Sequence, residues 1–286
     1  MTDASPPARR EPIFNMPGVV VVCCLVLVGL YALYAAASDE TKDWVIAVFA
    51  FVPARAAIAL DLARPQLTAS VQTIPQETFT ALIGAGSGRW WTLVTYALLH
   101  GSWAHVGFNC VWLVAFGAPV ARRFAAPRFL LLLLVSAIVG ALVQFASNMA
   151  SFVPVIGASA AVSGAMGAAV RFVFRPSSSP AEVLDRARLD ATFRQPALSL
   201  AGTLSNRAAL AFIVFWFVTN LVFGLFPSLS GVADGPIAWQ AHIGGFLTGL
   251  LLFSLFDPKR PSLERDVSAE LPVGGDGFAG EGEGSS

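Results

Sequence analysis

Long apolar runs separated by polar breaks set the pattern of this chain. Gly18–Ala37, His105–Ala121, Phe129–Ser147, Ile156–Phe174, Ala208–Phe226 and Trp239–Phe256 carry few charges. Each approaches the roughly 20 residues that a helix needs to cross a bilayer. They predict an all-α fold: a polytopic membrane protein whose six transmembrane helices form one membrane domain over 18–256. A polar, proline-broken tail covers 1–17. A Gly- and acid-rich tail at 257–286 has little to bury and is expected to be disordered. The first run ends in Ala35-Ala36-Ala37, like a signal-peptide cleavage site. It is longer than the apolar core of such a peptide, about 7–15 residues, and reads as a retained helix.

Two stretches interrupt the regular spacing. Residues 44–62 are apolar, but Pro53, Arg55 and Asp61 fall inside them. Charge at mid-bilayer is costly, so 38–104 reads as one long connection lying partly in the membrane interface. Trp44, Trp90, Trp91 and Trp103 suit that level. The polar 176–207 stretch reads as a loop with a short charged helix at 181–191.

Composition supports the membrane class. Of 286 residues, 56% are hydrophobic and 13% charged, against about 25% charged in soluble domains. Formal net charge is zero, so no bulk attraction to nucleic acid is expected. Cys23, Cys24 and Cys110 lie in apolar runs, and no Cys/His set has zinc spacing. Neither a metal nor another cofactor is expected. With six spans, one side holds only Lys42, Arg55, Arg64 and Arg89 of the 18 Lys and Arg. The other fourteen share a side with both tails, which puts both termini in the cytoplasm.

Three spans carry polar residues near the ends that face outward in this topology. His105 and Asn109 begin the second span, Ser159 the fourth and His242 the sixth. Each alone is simply read as packing or interhelical hydrogen bonding. Together, at one depth, they are what acyl transfer to water requires. A histidine takes the serine proton as general base and later protonates the leaving amine, while amide donors hold the oxyanion. Ser163 lies a turn deeper than Ser159, where water is scarcer. Gly157, Gly164 and Gly167 on the fourth span, and Gly245 and Gly249 on the sixth, form small-residue helix-contact faces that would bring His242 to Ser159.

From about Gly88 to Phe256 the chain resembles the rhomboid intramembrane serine proteases. The matching text is His100-x4-His105-x3-Asn109, Phe116-Gly117, Gly157-Ala158-Ser159-x3-Ser163-Gly164-x2-Gly167 and Ala241-His242-x2-Gly245-x3-Gly249. The resemblance implies a Ser159–His242 dyad without a third acid. It also implies an oxyanion hole of Asn109, His105 and the Ser159 N–H, and a supporting role for His100. Substrates would be single-span membrane proteins, cut in or next to the transmembrane helix, in a bacterial inner membrane. The chain departs from the family pattern at Ala160, at Trp91-Thr92 and at Ala121. Two other classes compete: a rhomboid-like protein that binds transmembrane helices without cutting them, and a transporter using the same polar residues as a pathway. The former usually lacks the serine or histidine, and no repeat symmetry supports the latter.

Overall fold

The computed structural model describes residues 16–62, 67, 69, 71–72, 74–83, 88–174, 196–230 and 237–258. The N-terminal tail up to Asn15, residues 84–87, most of the 176–207 loop with its expected short helix, and the C-terminal tail beyond Pro258 lie outside these residues. The described helices are α1 (Gly18–Ala36), α2 (Asp39–Phe49), α3 (Pro53–Ala59), α4 (Gln76–Ile83), α5 (Thr92–Thr95), α6 (Trp103–Trp112), α7 (Ala118–Ser147), α8 (Ser159–Val170), α9 (Leu200–Ser205), α10 (Arg207–Leu225), α11 (Trp239–Leu251) and α12 (Phe253–Phe256). Among the described residues there is one isolated antiparallel bridge, Phe51 to Val155, and no strand.

By length and composition, Gly18–Ala36, Trp103–Ser147 and Arg207–Leu225 are long and apolar enough to cross a membrane. The middle one is not a single rod. It passes through a π-turn at Leu113–Gly117 and breaks at Ala125, where φ is 63° and ψ 164°. A straight helix would hold Gly117 and Phe129 about 18 Å apart at 1.5 Å per residue. Instead, a Cβ built on Gly117 lies 3.2 Å from the Phe129 ring. The chain therefore folds back at Ala125, between the second and third apolar runs. The outer faces of these helices are greasy: Leu33 is 73% and Phe215 67% exposed. Apolar surface on that scale belongs in lipid.

The core is α8, α7 and α11. Every α8 residue from Ala160 to Val170 is buried. Its small side chains allow contact at backbone distance. A Cβ built on Gly245 would overlap the Ala160 carbonyl, and one on Gly249 would overlap the Gly164 carbonyl. Cβ atoms on Gly167 and Gly164 would overlap the Phe246 carbonyl and Ser136 of α7. Without a hydrophobic force between helices in lipid, such close packing is what holds them together.

Two boundaries differ from the sequence reading. The fourth apolar run starts at Ile156, yet α8 begins only at Ser159 and has 12 residues, about 18 Å against a hydrocarbon core of about 30 Å. Gly157, expected on a helix-contact face, therefore precedes the helix. It adopts φ +115°, which helical backbone excludes. At the other end, the sequence places Asp257 at the start of the tail. It instead accepts two hydrogen bonds from Arg123, Nε to Oδ1 and Nη2 to Oδ2, both 2.7 Å. This bidentate pair fixes the end of α12 beside the Phe124, Phe253 and Phe256 cluster.

Residues 44–62 hold the second half of α2 and all of α3, helices of 11 and 7 residues. Both are too short to span. Arg55, on α3, is buried, and its guanidinium donates to the carbonyls of Leu82 (2.7 Å), Ala47 (2.8 Å) and Ala50 (3.4 Å). Desolvation holds its pKa down to about 10, and nearby Arg89 adds to the effect. These carbonyl bonds let an arginine sit inside the 38–104 connection and tie its turns together.

Candidate active site

The loop before α8 is fastened on two sides. Val155 pairs with Phe51 by two backbone hydrogen bonds, 2.7 and 3.2 Å, and the Gly157 N–H donates to the Tyr96 carbonyl at 2.9 Å. Tyr96 is itself anchored by its hydroxyl on the Ala137 carbonyl at 2.8 Å. The 38–104 connection thus carries the loop that delivers Ser159. Gly157 is required twice over. Its positive φ is one that L-residues rarely adopt, and a Cβ there would lie 2.6 Å from His105 Nε2 and 3.7 Å from Ser159 Oγ.

Ser159 is the first residue of α8, so its N–H has no partner within the helix. Its Oγ lies 2.7 Å from Nε2 of His242 on α11. On the far side of the imidazole, Nδ1 lies 2.7 Å from Oδ1 of Asn220 on α10. The glycine contacts of α8 and α11 set this meeting: Gly245 is three residues after His242 and touches Ala160, the residue after Ser159.

The remaining sequence candidates lie close by. Ser102 caps α6, its Oγ accepting from the His105 N–H at 3.1 Å. The rings of His100 and His105 meet edge to face with centroids 4.9 Å apart. The Ala158 N–H donates to His100 Nε2 over 3.5 Å. Asn109 is buried, and its Nδ2 donates to the His105 carbonyl one turn back at 3.0 Å. That leaves its second N–H uncommitted by this bond. Ser163 is buried in α8 one turn beyond Ser159. The residue that sequence reasoning passed over is Asn220. It stood in an apolar run, and the available signal was simply an amide inside a membrane helix.

A hydroxyl at hydrogen-bond distance from an imidazole is the contact by which a serine is activated as a nucleophile. Free N–H groups at a helix start are suited to negative charge. A family model described as the Rhomboid domain matches residues 87–258. The rhomboid protease GluP of Bacillus subtilis (strain 168) is 40% identical over 81 residues, 28% of this chain and 15% of that protein. YdcA, a proposed rhomboid protease of the same strain, is 34% identical over 85 residues, 30% of this chain and 42% of that protein. The chain therefore spans less than half the length of these relatives where it matches them. With a match that covers more than half of its residues and an all-helical membrane bundle beneath it, this chain belongs to the rhomboid family.

Proposed function

We propose that this protein is an intramembrane serine endopeptidase. It would hydrolyse peptide bonds in or next to the transmembrane segments of membrane-anchored substrates. The observation that carries this is the 2.7 Å contact between Ser159 Oγ and His242 Nε2 inside a bundle of apolar helices. In this reading Ser159 Oγ attacks the scissile carbonyl while its proton passes to His242 Nε2. The oxyanion is met by the Ser159 N–H, Asn109 and His105, with His100 holding the Ala158–Ser159 turn. His242 then returns the proton to the leaving amine, and water cleaves the acyl-serine by the same route. Substrates in the bilayer reach the site through the membrane. Purified protein incubated with a single-span membrane protein should give fragments that end in or beside the apolar segment. Recovery of intact substrate bound to the protein would instead favour a helix-binding member without activity.

Asn109→Ala is expected to keep the fold and lower turnover by roughly 10²–10³, the worth of one preorganised oxyanion donor. A cleavage time course on folded protein checks this, and wild-type turnover would remove Asn109 from the role. His105→Ala should cost a similar amount or less, since other donors remain.

We also propose six spans with both termini cytoplasmic, in a bacterial inner membrane. The charge asymmetry supports this, as does the reversal at Ala125. A topology reporter joined after Pro258 is expected to read inside, and one at Gly88 outside. A cytoplasmic reading at Gly88 would contradict the arrangement.

A further inference from the structure

Of the 19 residues of α10, only Ala209 and Asn220 are buried. A buried amide among apolar helices is costly unless its polar ends are bonded. Both ends of Asn220 are. One end faces the Trp239 carbonyl at 3.1 Å and the other faces His242 Nδ1 at 2.7 Å. A peptide carbonyl only accepts, so the amide end facing Trp239 must be the NH₂ group. The amide oxygen is then turned to His242. That oxygen also only accepts, so Nδ1 must carry the proton. A neutral imidazole protonated at Nδ1 keeps its lone pair on Nε2, and Nε2 is the atom 2.7 Å from Ser159 Oγ. One backbone carbonyl thus sets, through one side chain, which ring nitrogen meets the serine.

We infer that Asn220 is a positioning residue for the proposed reaction: its side-chain oxygen holds His242 Nδ1–H and so presents a basic Nε2 to Ser159. The same contact ties α10 to the site. Trp239 reinforces it, since a Cβ built on Gly224 of α10 would overlap the Trp239 indole. The inference rests on the Ser159–His242 reading above, and it adds the element that orients the base.

The test compares Asn220→Leu with Asn220→Asp. Leucine nearly matches asparagine in size and has no acceptor. Aspartate keeps the acceptor for Nδ1–H and loses the donor to the Trp239 carbonyl. Asn220→Leu is expected to lower kcat about 10–100-fold, the scale of loss when a metal-ligating histidine is deprived of its hydrogen-bond partner, with KM little changed. Asn220→Asp should recover most of that loss. A purely structural role predicts the opposite order, because both variants lose the Trp239 bond and aspartate alone brings charge into apolar surroundings, with its oxygen against the Trp239 carbonyl. Nitrogen-15 NMR of histidine-labelled protein in micelles supplies a readout that needs no activity. Wild type should show His242 protonated at Nδ1 and bare at Nε2, with mixed tautomers in Asn220→Leu. Wild-type turnover in Asn220→Leu, an aspartate variant worse than the leucine one, or a proton on Nε2 in the wild type would each overturn the inference. A wild type that cleaves nothing would instead strike the proposed function, while the NMR result would still decide Asn220. Should Asn220→Leu fail to fold, the wild-type tautomer and the aspartate variant remain decisive.

Discussion

A serine-directed phosphonate is expected to label Ser159 and to leave Ser163 untouched. Ser159→Ala should lose labelling and cleavage together, and His242→Ala should lose labelling with its Ser159 still present. The geometry separates the two serines. Ser159 opens α8, beside the loop held by Phe51 and Tyr96, and contacts His242 Nε2 at 2.7 Å. Ser163 is buried one turn further along the helix, next to Gly164 where α8 meets α7. In a soluble serine protease, loss of the nucleophile costs about 10⁶ in kcat, and an effect on that scale is expected here. Ser163→Ala should retain labelling and cleavage, with at most a packing loss. Mass spectrometry of the labelled peptide reads the outcome directly. A label that survives Ser159→Ala and disappears in Ser163→Ala would reverse the roles of the two serines.

The second large effect is on packing. Gly249→Val is expected to destabilise the bundle and to abolish turnover in whatever remains folded. A Cβ at Gly249 would overlap the Gly164 carbonyl and lie 2.8 Å from the Ala168 nitrogen. These are backbone atoms that cannot swing aside, so α11 must move off α8 as a body. Overpacking typically costs about 1–3 kcal/mol. The displacement also separates His242 from Ser159, whose 2.7 Å contact leaves no slack. Gly29→Val on α1 is the matched control, because a Cβ there meets nothing within 4 Å. A thermal melt in detergent together with a cleavage assay measures both effects. Wild-type melting and turnover in Gly249→Val would contradict the backbone contact.

Much of this architecture was legible in the chain because lipid imposes simple demands. A helix that faces hydrocarbon must be long and apolar, so α1 and α10 stand out as uninterrupted runs. Polar side chains near the ends of apolar helices are rare enough to stand out, as His105, Asn109, Ser159 and His242 do. The start of α8 was less legible. Apolar residues such as Ile156 and Ala158 fit a helix and a loop equally well, and the need for glycine at 157 shows only when the fold brings the His105 ring to where a Cβ would stand. The reversal at Ala125 carries little local signal, since alanine favours helix and its left-handed φ is imposed by contacts such as Gly117 with Phe129. Partners distant in sequence were the least legible. Asp257 looked like the first residue of an acidic tail, and only the fold brings it to Arg123, 134 positions away. Arg55 looked like a charge in the wrong place until Ala47, Ala50 and Leu82 were turned towards it. Asn220 is the same case at the site: its meaning comes from Trp239 and His242 on another helix.

The most direct measurement is the initial rate of cleavage of a single-span membrane protein by the wild type and by Ser159→Ala, both purified and reconstituted in liposomes. The account predicts fragments cut in or beside the transmembrane segment with the wild type and none above background with the variant. Equal rates for the two, or no cleavage of any single-span substrate by a folded wild type, would contradict it.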